Sequence, residues 1–319
     1  MEKLRVGVVG VGYLGRFHAE KYSRMDDVQL AGVVDTDRQR ADEVAQKVNT
    51  RAFTDAEELM GKVDAVSIVV PTQYHYQVSK RFLENDTDVM IEKPMTSTLE
   101  EADDLIGYAE SKGLIIQVGH LERFNPAVVA LKDHIRKPMF IESHRLSVFK
   151  PRGIDVDVVL DLMIHDIDII MNFVGADLKQ INAAGIPVIT DHGDIANARL
   201  EFSNGCVANV TASRISMKNE RKIRLFQKDS YISVDFAGRE ITIIRQDGKA
   251  TGGPIPGMGI NRLCFTEGDA LESELKSFVH SVKNRIAPEV TGKMGRDALK
   301  VALSIVEQIR QTRKRFLGA

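Results

Sequence analysis

Two groups of residues in this 319-residue sequence have types and spacings that could carry a reaction. The first is Lys93, which follows the apolar run Val89-Met90-Ile91 and stands between Glu92 and Pro94. A lysine there reads in two ways: a solvated residue that closes a strand, or an ammonium aimed at a ligand. Pro94 biases its predecessor toward extended backbone and stiffens the turn. An ammonium held in that way can stabilise an alkoxide or share its proton. The second group is Asp161 and His165 in "DVVLDLMIHDID", spaced i and i+4, so that a helix projects both from one face. His165, neutral near pH 7, has the chemistry of a general base. A capping or paired histidine on an ordinary amphipathic helix is the other reading. Asp166 and Asp168 fan away around the helix, which argues against a metal centre.

A dinucleotide fingerprint accompanies these groups. Gly10-Val11-Gly12-Tyr13-Leu14-Gly15 follows an apolar run and opens an amphipathic segment. In that context the first glycine permits a tight turn, the second admits a pyrophosphate to the backbone, and the third lets helix and strand pack closely. The helix N-terminus adds N–H groups and partial positive charge. A second run ends at Asp35, twenty residues beyond Gly15. A carboxylate there accepts from the ribose hydroxyls and repels a 2′-phosphate, favouring NAD over NADP. Arg38 keeps NADP as the lesser alternative. "PTQYHYQ", 71–77, follows a third run; Pro71 and Thr72 could flank the nicotinamide, and His75 reads as a helix-end residue.

The elements that must position these residues alternate. Short Val- and Ile-rich runs at 4–9, 28–34, 65–70, 89–91 and 114–118 are separated by helix-like segments at 15–24, 37–47, 74–84 and 99–111. Such runs read as strands buried on both faces, and their alternation with helices implies a doubly wound parallel sheet over residues 1–120. Beyond, over 121–319, the rhythm changes. Asn125-Pro126 opens a helix to about 137, a strand covers 139–149, and a helix covers 161–174. Strand-like runs joined by turn residues fill 178–245, the pattern of a largely antiparallel sheet in an α+β domain. "TGGPIPGMG", 251–259, is a loop or lid candidate, and helices at 269–285 and 295–315 follow.

The bulk numbers exclude several classes. A net charge of −2 gives no global attraction to nucleic acid or anionic membrane. Cys206 and Cys264, far apart, make neither a disulfide framework nor a cysteine zinc site and fit a reducing cytoplasm. The N-terminal apolar run, broken by glycines and lacking a small-residue cleavage site, does not read as a signal peptide. A cytoplasmic enzyme is the expectation.

The glycine loop, "PTQYH", "EKP" and the Asp161–His165 pair occur in the order and spacing of the Gfo/Idh/MocA oxidoreductases, which the whole chain resembles. The resemblance implies a Rossmann domain binding NAD through Gly10, Gly12, Tyr13, Leu14, Gly15, Asp35, Arg38, Pro71, Thr72, His75, Glu92 and Lys93. It implies that Lys93 contacts substrate and nicotinamide, and that Asp161 and His165 complete the catalytic set. It also implies an open, mostly antiparallel second-domain sheet that mediates a homodimer or homotetramer. One departure narrows it: where many members carry a glycine run, this chain has "GIDVDVVLD", 153–161. With "VGHLERFNPAV", 118–128, that segment resembles the branch acting on nucleotide sugars. The implied reaction is oxidation of a secondary alcohol, foremost the 3-hydroxyl of UDP-N-acetylglucosamine. Arg123, Asn125, Lys150, Arg152 and Arg214 then become candidate contacts to the substrate and its diphosphate. A myo-inositol or other polyol dehydrogenase is the alternative, and an NAD-sensing regulator without turnover a third. Whether His165 or Lys93 takes the proton stays open at this level.

Overall fold

The computed structural model describes residues 3–150, 156–246 and 257–317. The chain forms two compact units: Met1–Leu121 with Asp269–Leu299, and Glu122–Gly268 with Lys300–Ala319.

In the first unit, β1 (Leu4–Val9), α1 (Gly15–Tyr22), β2 (Val28–Val34), α2 (Arg38–Val48) and β3 (Ala52–Phe53) follow in order. Then come β4 (Ala65–Ile68), α3 (His75–Glu84), β5 (Asp88–Glu92), α4 (Leu99–Lys112) and β6 (Ile116–Gly119). The six strands make a parallel sheet in the order β3-β2-β1-β4-β5-β6, the doubly wound arrangement expected. β4 and β5 are buried along their whole length, which is why their middles read as apolar runs, Ser67 apart. The strand order reverses between β1 and β4, and the carboxyl ends there are where ligands bind in such sheets. β3 was not expected; two residues are too short to show a period.

The first unit is not built from residues 1–120 alone. Among the later helices, α7 (Ala270–Asn284) turns Leu275, Phe278, Val279 and Val282 into the core formed by Val6, Val8, Tyr22 and Met90. Lys21 fastens the start of that helix through Asp269, at 2.5 Å. Amphipathic periodicity announces the helix but does not say which sheet its apolar face covers.

The second unit contains α5 (Pro126–Leu131), β7 (Phe140–Leu146) and α6 (Ile164–Val174). There follow β8 (Leu178–Ile186), β9 (Ile195–Phe202), β10 (Val207–Ser213), β11 (Glu220–Phe226), β12 (Ser230–Asp235), β13 (Glu240–Gln246) and β14 (Met258–Cys264). These eight strands form one sheet, β14-β13-β12-β11-β7-β10-β9-β8, antiparallel throughout except where β10 runs parallel to β7. The period of two is plain in β9, with Ala196, Ala198, Leu200 and Phe202 buried and Asn197 and Arg199 outward. Asn125 caps α5 as expected, but the helix stops at Leu131. The N–H groups of Arg136 and Lys137 instead donate to Oε1 of Gln227, at 2.6 and 3.0 Å. The final helix, α8 (Gly292–Leu317), starts in the first unit and ends in the second, where Gln308 bonds the backbone of Ile181 and Ala183. Most of the lid candidate, 251–256, lies outside the described residues. Among the described residues no helix is long and apolar enough to cross a membrane.

Candidate active site

The glycine loop of the first unit behaves as its spacing requires. Gly10 has φ +85°, and a Cβ there would lie 2.6 Å from the carbonyl oxygen of Val69. At Gly15 a Cβ would fall 1.8 Å from the Gly10 carbonyl oxygen, so only glycine lets α1 approach β1 this closely. Gly12 differs: a Cβ would meet nothing within 4 Å. The open space at the second glycine is the cradle a pyrophosphate needs. Tyr13 is exposed beside it, edge-on to Phe17 and with the guanidinium of Arg16 over its ring.

Asp35, at the end of β2, is buried and already anchored. Its Oδ2 accepts from the Val11 N–H and its Oδ1 from the Asp37 N–H, both at 3.0 Å. Arg40 lies across the same carboxylate at 3.1 Å and also reaches Asp37. Arg38, the arginine expected near the ribose, is instead exposed and paired with Asp42 one turn along α2. The arginine beside Asp35 is therefore Arg40, two positions on, which spacing did not single out.

The turn after β5 carries Lys93, half-buried between the buried Glu92 and Pro94. Glu92 turns inward: its Oε2 accepts from the Lys93 N–H at 3.3 Å. Its Oε1 lies 3.3 Å from Nε2 of His18, a fully buried residue of α1. Gly119, paired with Glu92 across β5 and β6, leaves room for that carboxylate, which a Cβ would meet at 2.9 Å. His75 holds the other side of the turn. Its two ring nitrogens lie 2.9 Å from the Pro94 carbonyl oxygen and 2.8 Å from that of Val70. Burial pushes its imidazole below the ordinary value, although both carbonyls and the charge on Glu92 pull the other way. Expected as cofactor contacts, Glu92 and His75 are occupied in bracing the lysine turn. Pro71 and Thr72 stand at the carboxyl end of β4, exposed and half-exposed, opening a single 3-10 turn.

In the second unit, the chain carrying Asp161 and His165 begins as a π-helical turn, Val159–Met163, before α6. Asp161 lies in that turn and His165 in the first turn of α6, both half-buried. Wide turns of this kind recur at functional sites. Asp157 starts it by accepting from the Val159 N–H, at 3.0 Å. The two acids after His165 hold α6 down. Asp168 accepts two bonds from Arg123 at 2.6 and 3.0 Å, and Asp166 accepts from Arg145, whose Nη2 lies 2.8 Å away. Arg145 also reaches Glu122 at 2.9 Å. Burial alone would lower the Arg145 value, but Asp166 and Glu122 outweigh it and hold the guanidinium above its ordinary range.

Arg123 and Asn125, expected against the substrate, thus have structural occupations. Arg123 is spent on Asp168 and is buried; Asn125 caps α5 and donates to the Phe236 carbonyl. Arg214 holds the backbone of Val156 at 2.7 Å. Lys150 is exposed, and Arg152 lies outside the described residues. Among the described residues no group of three or more His, Cys, Asp or Glu could hold a metal. His18 was missed on sequence, although it shares the inward stripe of α1 with Gly15, Ala19 and Tyr22.

Comparison with known proteins agrees with the fold. The profile of an oxidoreductase family with an NAD-binding Rossmann fold matches residues 4–120, and that of the GFO/IDH/MocA C-terminal domain matches 138–233. UDP-N-acetylglucosamine 3-dehydrogenase from Acidithiobacillus ferrooxidans is 40% identical over 96% of this chain and 97% of its own. Its solved structure superposes with a TM-score of 0.93, covering 97% of this chain and 98% of that one. Myo-inositol 2-dehydrogenase from Thermotoga maritima is more distant, 26% identical over 97% of each chain.

Proposed function

The chain belongs to the Gfo/Idh/MocA family of NAD-dependent oxidoreductases, and on that premise we propose that it oxidises the 3-hydroxyl of UDP-N-acetylglucosamine. The observation that carries the substrate is the 40% identity to an enzyme of that name over nearly the full length of both chains. The inositol dehydrogenase similarity is weaker over the same span, which ranks polyol oxidation second.

NAD, when bound, supplies a hydride acceptor. Gly10, Gly12 and Gly15 with the N-terminus of α1 hold its pyrophosphate, and Asp35 reads the ribose. His165 takes the hydroxyl proton as general base. Lys93 stabilises the negative charge that develops on the same oxygen, and Asp161 supports the resulting imidazolium. The protein works in the cytoplasm, as a homodimer or homotetramer assembled through the second-unit sheet.

The test is NAD reduction, followed by absorbance, across UDP-N-acetylglucosamine, other UDP-sugars, myo-inositol and free glucose. UDP-N-acetylglucosamine should be oxidised with the highest kcat/KM. His165→Ala and Lys93→Met should each lower kcat by about 100-fold or more while NADH still binds. Activity confined to free polyols would overturn the substrate, and near-normal turnover in both variants would overturn the site.

A further inference from the structure

We propose that His18 is a positioning residue for Lys93, acting through the carboxylate of Glu92. The inference rests on the proposed role of Lys93 and deepens it. His18 is fully buried on α1, three residues past the last glycine of the dinucleotide loop. Its Nε2 lies 3.3 Å from Oε1 of Glu92, whose Oε2 accepts the Lys93 N–H at 3.3 Å. Gly119 forms the floor on which that carboxylate lies, since a Cβ there would meet it at 2.9 Å. Glu92 thus lies against a histidine nitrogen on one side, in ion-pair range but without hydrogen-bond geometry, accepts its own neighbour's N–H on another, and has bare backbone beneath.

An acidic side chain buried to this degree costs free energy unless it is paired or hydrogen-bonded. Glu92 sits one residue before Lys93 with its charge directed back onto the backbone from which the lysine departs. The arrangement fixes the direction in which the Lys93 side chain leaves the strand end. His75 braces the same turn through the Pro94 carbonyl, so two buried histidines grip the residues on either side of the lysine. His18 also ties that turn to the helix whose N-terminus receives the pyrophosphate. The lysine and the cofactor cradle therefore share one rigid support, the condition for holding a reacting group to within a fraction of an ångström.

The experiment is a double-mutant cycle on the full chain, with kcat and KM from NAD reduction by UDP-N-acetylglucosamine, Kd for NADH from fluorescence, and stability from urea unfolding. His18→Leu should lower kcat by on the order of 10- to 100-fold, the cost of misplacing a catalytic group by about 1 Å, while leaving Kd for NADH within about twofold. His18→Gln, which keeps a donor near the Nε2 position, should recover most of that loss. In the Lys93→Met background His18→Leu should change the residual kcat by less than about twofold, because a residue acting through Lys93 has nothing left to position. Should His18→Leu not fold, Glu92→Gln enters the same cycle with the same expected pattern. Additive losses, failure of His18→Gln to rescue, or a loss seen only in urea stability would overturn the inference and leave the role of Lys93 standing. Wild-type turnover in Lys93→Met would overturn that role itself.

Discussion

Gly12→Ala should separate cofactor binding from folding. A Cβ at Gly12 meets no protein atom within 4 Å, and its backbone does not need the left-handed region. The substitution removes unfolded-state freedom without adding a clash, so it should stabilise the apo protein by up to about 1 kcal/mol. The same methyl enters the space through which a pyrophosphate oxygen reaches the loop N–H groups. Each hydrogen bond to a charged group contributes about 1.5–3 kcal/mol, so losing one raises Kd for NADH by about ten- to a hundredfold. Gly15→Ala is the contrast, because its Cβ would sit 1.8 Å from the Gly10 carbonyl oxygen and α1 would have to move off β1. It should lose stability and binding together. Urea unfolding of the apo proteins gives the first quantity and NADH fluorescence titration the second. A Gly12→Ala protein that binds NADH as tightly as wild type would refute the reasoning, and so would one that unfolds more than about 1 kcal/mol more easily.

Two further outcomes follow from buried charge in the second unit. Arg145→Met strands Asp166, which is 1% exposed, beside Glu122, and should cost about 3–5 kcal/mol in urea unfolding. Asp194 is fully buried; burial alone would raise its value, but the N–H groups of Thr190, Ile189 and Val188 outweigh that and hold it down to about 2. A depressed carboxyl stabilises the fold above its unfolded value and loses that contribution as pH falls through the folded one. Asp194→Ala should therefore cost about 2 kcal/mol at pH 7, with the gap to wild type shrinking by about half near pH 3, read from urea midpoints across pH.

The parallel sheet was legible because β4 and β5 are buried on both faces, so their residues are mostly apolar, with Ser67 inside β4 and Asp88 and Glu92 at the ends of β5. The glycine loop was legible because Gly10 and Gly15 each answer a separate steric demand of the protein, while Gly12 leaves its space open. What escaped was partner choice. Arg38 and Arg40 are both arginines in the first turn of α2, and only the backbone path decides which one lies across Asp35. Arg123 read as a cation for a phosphate because nothing in its neighbourhood announces Asp168, forty-five residues on. His18 was hidden for a similar reason, since its contact is with an acid two strands away. The π turn carrying Asp161 has no compositional mark, being set by Asp157 and the helix it leads into.

The return of α7 to the first unit has a consequence for how the protein is made. Strands β1 to β6 leave the ribosome long before Leu275, Phe278, Val279 and Val282 do, yet those four side chains are part of the core beneath β1. Until the chain has been synthesised past Val282, the nascent sheet carries an uncovered apolar face over Val6, Val8 and Tyr22. Such a face is prone to aggregation. Contacts between the two ends of the chain are also slow to form, because loop closure must precede them. The strands of the cofactor domain are thus translated well before the helix that completes their core.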